Sequence, residues 1–251
     1  MSAVFVVAVA ALSGEPEAVA KELAPALGTT VYELRLALAA GPPVVVGFVP
    51  DEARARAQAA VFTKAGHRAL AFARSDVLSS ATMPVFRDFR LDPAGIVPSV
   101  ERGEVMPYAD VVLLARASHR RTTETVTEVS ERKFRPVAAA VTGGLILSKT
   151  VKREEKVVTE AREQVLYVFS RLPGRAFLLR ERGANYGGLG ARLARTSLEN
   201  FQVTQKLLRD ACPAAAYDER LAVPKTVRGV PDGILATDVL AHVLAVDARS
   251  R

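Results

Sequence analysis

The apolar residues of this chain change their spacing near residue 80. Before that point they recur every three or four positions in three segments, which is the period of an amphipathic helix. After it they alternate with polar residues over short runs, which is the period of a β-strand. Residues 79–84 (SSATMP), predicted to be a linker, separate the two patterns. The sequence therefore predicts an α+β chain with an α/β module at residues 1–80 and a mainly β module at residues 84–215.

The first module carries signals for the order β-α-α-β-α-β. Ser13 stands at the predicted N-cap of the first helix, and Gly28 follows its last turn. Thr30 and Glu33 have the spacing of a capping box at the start of the second helix. Asp51 is the predicted cap of the third helix. Short apolar runs predict the strands at residues 4–12, 44–49 and 68–73.

In order and spacing, this module resembles two related bacterial folds. One is the C-terminal domain of the ribosomal stalk protein, and the other is the adaptor that delivers N-degron substrates to the Clp protease. The likeness lies in the helix pair around Gly28, the Asp51-capped helix and Gly66 before the last strand, and it covers under a third of the chain. Both relatives dock proteins without catalysis, so the resemblance implies protein binding. The adaptor's acidic residues for an N-terminal amine match no positions here, and N-degron recognition is not implied.

The second module reads as many short strands followed by one amphipathic helix. Ser197 is the predicted cap of that helix, which ends near Cys212. Residues 103–111 (GEVMPYADV) resemble the glycine turn and Ile-Pro-aromatic-x-Asp-Ile sequence that starts the second strand of bacterial pleckstrin-homology-like (PH-like) domains. The resemblance implies an antiparallel β-barrel closed by a C-terminal helix, with no particular ligand. The predicted strands are at residues 85–91, 96–100, 111–115, 122–130, 156–160, 165–170 and 176–180.

The excess of positive charge lies entirely in the middle of the chain. Residues 96–211 hold twenty basic and thirteen acidic side chains, which equals the whole net charge of +7. A basic surface favours anionic partners such as acidic proteins, lipid headgroups or nucleic acid. Nucleic acid is not favoured, because the polar strand predicted at residues 122–130 supplies no aromatic platform for bases. Arginine used for solubility is the alternative explanation.

An apolar stretch at residues 137–147 interrupts the polar strands where a hairpin connection is expected to be polar. With its basic flanks, it is the predicted contact surface. It can meet a partner protein or an anionic membrane, where each basic residue contributes up to about 1 kcal/mol. Alternatively it folds back on the barrel, the first module or a second copy of the chain. The predicted contact residues are Arg132, Lys133, Arg135, Val141, Leu145, Ile146, Leu147, Lys149, Lys152 and Arg153.

No residue pattern predicts catalysis, a cofactor or a metal. His67, His119 and His242 are far apart and lack metal-ligand spacing. The Gly-rich residues 185–191 lack the Lys-Ser/Thr of a phosphate-binding loop and are expected to form a turn. Cys212 has no neighbouring base in sequence that would make it a nucleophile.

These observations predict a non-enzymatic interaction protein that binds a partner protein. Binding to an anionic membrane surface and an enzyme of unrecognised class are the alternatives. A single cysteine and the lack of an apolar run of about 20 residues favour a cytoplasmic location. Residues 216–251 are expected to be a docking tail with a short helix, packed on one domain or across a homodimer.

Overall fold

The structure is a computed structural model that describes residues 3–98, 105–134, 148–227, 229–230 and 234–251. Side chains are described for the same residues except 98, 120–134 and 148–161. The chain divides into two compact units. One joins Met1–His119 to Glu163–Arg251, and the other is Arg120–Arg162. The domain limits drawn from the sequence at residues 80–84 and 215–216 stay a prediction.

The described residues form helices and strands in mixed order, which confirms the α+β class. Short 3₁₀ turns at Arg74–Asp76, Tyr108–Asp110 and Tyr186–Arg192 join some of them. The helices are α1 (Pro16–Leu27), α2 (Val31–Leu38), α3 (Glu52–Lys64), α4 (Ser197–Ala211) and α5 (Ala236–Arg249). The strands are β1 (Phe5–Ala11), β2 (Val44–Val49), β3 (Arg68–Ala73), β4 (Phe89–Asp92), β5 (Gly95–Pro98), β6 (Met106–Pro107), β7 (Val111–Phe134), β8 (Ser148–Ser170), β9 (Ala176–Arg180) and β10 (Ala216–Leu221).

The predicted β-α-α-β-α-β order of the first module is confirmed. Its strands form an antiparallel sheet in the order β2-β1-β3. Gly28 ends α1 in the left-handed region at φ 65°, Thr30 and Glu33 form the capping box of α2, and Asp51 caps α3. The cap predicted at Ser13 is wrong: α1 begins after Glu15, without a side-chain cap. The Ser13 hydroxyl instead donates to the carbonyl of Gly66, two residues after α3 ends.

The first unit is built of alternating helical and sheet layers. Helices α1, α2 and α3 cover one face of the first sheet. Helix α5 packs on the other face through Val239 and Val243. The opposite side of α5 packs through Leu240 and Leu244 on the sheet of β7, β8 and β9. Helix α4 then covers the far face of that sheet through Phe201 and Leu208.

The barrel predicted for residues 84–215 is wrong for the described strands. They form a four-stranded sheet in the order β10-β7-β8-β9 and a separate sheet in the order β4-β5-β6, and neither closes. The strands predicted separately at 111–115 and 122–130 are both part of β7, and those predicted at 156–160 and 165–170 are both part of β8. Fewer strands result, and β10 adds in parallel beside β7 at one edge while β9 forms the other.

The tail is an internal part of the first unit. Residues 216–221 supply β10, which the sequence did not predict, and α5 lies buried between two sheets. Its sequence is apolar on nearly every face because it has a sheet on either side. Among the described residues, no helix combines the length and apolar character required to cross a membrane.

Candidate binding groove

A groove of about 1210 Å³ lies in the first unit between α2 and the segment at residues 223–227. We call it the α2–β2 groove. The first four residues of β2 form its base, and Leu240 of α5 reaches it from below. Pockets for small ligands typically hold about 300–1,000 Å³, so this groove has room for a longer ligand. Its lining also includes Thr30, Tyr32, Glu33, Leu36, Ala37, Ala39, Ala40, Pro43 and Val223–Val227.

Helix α2 leaves apolar side chains exposed along the groove. Leu34 and Leu38 are buried in the core under the first sheet, as one face of an amphipathic helix requires. Tyr32 and Leu36, four residues apart on another face, are 64% and 39% exposed and line the groove. Val223 on the opposite wall is 72% exposed. The groove therefore presents an apolar rim on both sides.

Strand β2 brings an open sheet edge to the groove. It pairs on one side with β1 and is the outermost strand of its sheet. No backbone hydrogen bond from the described part of the chain reaches its outer side. The strand also has a bulge: Val7 pairs with Gly47 and Ala8 with Val45, so Val46 has no partner in the register. Unpaired edge amides and carbonyls are a template for another strand.

Lys225 places a cation in this otherwise apolar groove. Its Nζ donates to the carbonyl oxygens of Gly41 (2.6 Å) and Pro42 (3.0 Å), just before β2 begins. Burial, followed by the charge of Arg220, lowers the pKa of Lys225 to about 8, while Asp218 acts in the opposite direction. An ammonium group has three N–H donors. One donor remains after these two bonds.

The charged neighbours of Lys225 are already engaged. Arg220 holds Asp218 through three nitrogen–oxygen contacts of 2.6–3.1 Å. Glu33 accepts hydrogen bonds from Thr30 and from the hydroxyl of Thr29 in the cap of α2. Within the described residues, no carboxylate lies in ion-pair distance of Lys225. Lys225 is therefore a partly desolvated cation without a direct counter-charge among them.

A second concentration of polar groups lies at the N-terminal end of α5. Asp238, 1% exposed, accepts from the Tyr167 hydroxyl (2.6 Å) and from the Ser80 amide (3.0 Å) and hydroxyl (3.2 Å). The one O–H of the Tyr167 phenol donates its hydrogen bond to Asp238, so Nε2–H of His119 donates to the Tyr167 oxygen at 2.6 Å. Burial lowers the pKa of His119 and raises that of Tyr167, which keeps both neutral. We call these four residues the Asp238 cluster.

The Asp238 cluster is suited to holding elements together. Its members come from the segment after β3, from β7, from β8 and from α5. The donors of Ser80 and Tyr167 are directed at the carboxylate, so neither is poised as a nucleophile. Cys212 is buried, and burial raises its pKa to about 11, which keeps the thiol protonated. In the described part of the chain, no three His, Cys, Asp or Glu side chains are grouped to hold a metal.

The predicted contact surface lies outside the residues whose side chains are described. The backbones of Arg132 and Lys133 belong to β7, and those of Lys149, Lys152 and Arg153 belong to β8. The other predicted contact residues, Arg135, Val141, Leu145, Ile146 and Leu147, lie outside the described residues altogether. The whole set stays a prediction.

The α2–β2 groove is not among the sites predicted from the sequence. One signal was present: α2 reads VYELRLAL, with Tyr32 and Leu36 apolar as well as Leu34 and Leu38. A short helix needs one apolar face for the core, so a second face indicates another contact. No sequence signal places Lys225 beside β2, because about 180 residues separate them and tertiary packing alone brings them together.

No model of a known protein family matches the chain, and searches of curated proteins and of solved structures found no match.

Proposed function

We propose that the protein is a non-enzymatic interaction protein that binds an extended, apolar segment of a partner protein in the α2–β2 groove. The open outer edge of β2 beside an exposed apolar helix face carries this proposal. A strand added to such an edge gains main-chain hydrogen bonds, and its alternate side chains enter neighbouring pockets. Tyr32 and Leu36 are placed to receive those side chains.

Three further features support a peptide as the ligand. The groove is larger than a typical small-molecule pocket and has a backbone edge along its base. Its lining is mainly apolar, with Lys225 and Glu33 as its charged members among the described residues. The sequence resemblance of the first module to two docking folds implies the same use.

A second, smaller cavity has fewer features of a peptide-binding site than the α2–β2 groove. It holds about 290 Å³ and is lined by residues 3–4, 73–75, Val77 and Ile234. Arg74 is the one charged residue of that lining. Ala73 of β3, the other outermost strand of the first sheet, is the one strand residue in that lining, and no described α-helix contributes to it, so the α2–β2 groove is the better candidate.

The test uses a synthetic pool of ten-residue peptides whose last five positions are randomised over Val, Ile, Leu, Phe, Thr and Ser. Peptides retained by the protein are identified by mass spectrometry, and one is labelled for fluorescence anisotropy. Tyr32→Asp with Leu36→Asp is expected to weaken binding at least tenfold, because each change removes a buried apolar contact from the complex. Hydrogen exchange is expected to slow at residues 44–47 on binding.

The matched control changes two exposed leucines elsewhere, Leu172→Asp with Leu193→Asp, and is expected to leave binding unchanged. Retention of peptides by the wild type no greater than by the Tyr32/Leu36 variant overturns the proposal. Protection that appears away from β2 overturns it as well.

The basic-flanked apolar segment at residues 132–153 is proposed as a second contact with a protein or membrane. Flotation with anionic liposomes separates these partners. Lipid binding that is lost in a Leu145→Asp, Ile146→Asp variant supports a membrane as the partner. If the wild-type protein does not float with the liposomes, the membrane is excluded as the partner. Dissociation of a dimer in the same variant, measured by light scattering, assigns the segment to self-association.

A further inference from the structure

Lys225 lies at one end of the open edge of β2. Its two acceptors, the carbonyls of Gly41 and Pro42, directly precede the strand, which runs from Val44 to Val49. A peptide added antiparallel to β2 starts opposite Val49 and finishes opposite Val44. Its last residue then arrives beside Lys225, whereas a parallel peptide brings its first residue there.

The charge around Lys225 fits an anion. Arg220 and Asp218 neutralise each other through their three contacts, and the Glu33 carboxylate is used by the cap of α2. Lys225 has one N–H beyond those given to Gly41 and Pro42. Its partial burial makes the ammonium costly to keep charged without a counter-ion, and burial accordingly lowers its pKa. A carboxylate at this point supplies both the missing acceptor and the missing charge.

We propose that the groove binds the C-terminal end of a peptide, antiparallel to β2, with the terminal carboxylate on Lys225. This inference rests on the proposed function and adds the direction of the ligand and the chemistry of its end. The two possible sources of the carboxylate differ in where the bound peptide ends. A peptide that binds through its free C-terminus finishes at Lys225, whereas one that binds through an acidic side chain continues past it.

The experiment compares three pools of the same ten-residue design. One pool has free C-terminal acids and the second has C-terminal amides, both randomised at the last five positions. The third has C-terminal amides with Glu fixed at the penultimate position and the other four positions randomised. Retention of the acids at least tenfold above both amide pools is expected, since a hydrogen bond to a charged group contributes that much. Equal retention of the acids and the simple amides overturns the inference that Lys225 binds a terminal carboxylate. It leaves the proposed function intact.

The other outcomes separate the remaining explanations. Retention of the Glu amides at the level of the acids assigns the carboxylate to a side chain and overturns the terminal position. Retention of no pool overturns the proposed function, and this inference with it. The three pools therefore distinguish failure of the groove from failure of its carboxylate site.

Two variants identify Lys225 as the group responsible. Lys225→Met is expected to lower the affinity for a retained acid peptide about 10- to 100-fold. The affinity for the amide form of the same peptide is expected to stay unchanged. Lys225→Arg keeps the charge and is expected to retain the preference for acids. Lys206→Met, which removes an exposed lysine of α4, is the matched control. Thermal melting of each variant shows that the fold is intact.

A pH profile provides a readout that a purely structural lysine does not change. Because the pKa of Lys225 is about 8 in the free protein, raising the pH from 7 to 9.5 removes its proton. Affinity for an acid peptide is expected to fall by up to about 30-fold over that range, and affinity for the amide peptide to stay level. Asp218, Arg220 and Glu33 are the other charged groups near Lys225 or in the groove lining. An identical profile for acid and amide overturns the inference.

Discussion

Replacing Asp238 by alanine tests whether the Asp238 cluster holds α5 between its two sheets. The carboxylate is 1% exposed and accepts four hydrogen bonds, from Tyr167, from the amide and hydroxyl of Ser80, and from the Leu235 amide at 3.3 Å. No described basic side chain lies in ion-pair distance of the Asp238 carboxylate. These four hydrogen-bond donors are therefore its polar partners among the described residues. The donors lose their shared acceptor in the variant.

The magnitude follows from the number of donors left unsatisfied. A hydrogen bond to a charged group contributes about 1.5–3 kcal/mol, and a buried donor without a partner costs about 1–3 kcal/mol. Removing the buried charge recovers part of its desolvation cost, so the expected net loss is about 3–5 kcal/mol. For a chain of this length, that lowers the melting temperature by about 6–20 °C.

The assay is urea unfolding at pH 7, with the slope of the transition checked for constancy. Asp238→Asn keeps the shape and one oxygen, so its expected cost is smaller, about 1–3 kcal/mol. Asp210→Ala removes an exposed carboxylate paired with Lys206 on α4 and is expected to cost under about 0.5 kcal/mol. A loss below about 1 kcal/mol for Asp238→Ala refutes the reasoning, because it means that the carboxylate is not a shared buried acceptor.

Three more predictions concern other parts of the first unit. Burial lowers the pKa of His242 to about 4, so between pH 4 and 6.5 the unfolded chain binds the extra proton, and this residue is expected to lower stability by about 2 kcal/mol from pH 7 to 5, in addition to the loss that buried His119 contributes. In urea unfolding, His242→Phe should reduce the fall by that amount, and an unchanged slope contradicts the assignment. Gly188→Ala should lower the free energy of unfolding by about 1–3 kcal/mol, measured by thermal melting, since a Cβ there overlaps the Phe89 carbonyl. The control is Gly187→Ala, whose Cβ meets only the Asn185 side chain, and an equal effect of the two changes argues against the close approach at Gly188. At pH 8 about half of the Lys225 amine is neutral, so acetic anhydride should label it several-fold faster than exposed Lys206 by peptide mass spectrometry, and a slower rate contradicts the lowered pKa.

Local interactions explain why the first module was predictable. Gly28, the pair Thr30 and Glu33, and Asp51 act on backbone groups within one turn of themselves, so their spacing alone marks the ends of helices. The turn at residues 172–175, which joins β8 to β9 between the predicted strands at 165–170 and 176–180, is local in the same way. The Ser13 prediction failed because long-range contacts hold this residue beside the end of α3: its amide donates to Nδ1 of His67 and its hydroxyl donates to the Gly66 carbonyl.

The barrel prediction failed because strand length and sheet closure are not local properties. Alternation along residues 111–130 is the same whether the run is one strand or two, and only the partners of a strand decide where it bends. The parallel pairing of β10 with β7 joins residues about 100 positions apart. No short-range pattern marks that contact, and it places β10 at an edge of the sheet, where a barrel does not close.

The sequence by itself determined the helices, most of the short strands and the α+β class, since caps, turns and apolar periods act over a few residues. Tertiary structure alone decided that α5 lies between two sheets, that β2 keeps an open edge and that Lys225 meets Gly41 and Pro42 there. The physical reason is distance along the chain. Burial of Lys225 and the orientation of its donors depend on elements about 180 residues apart, and these come together only when the whole core packs.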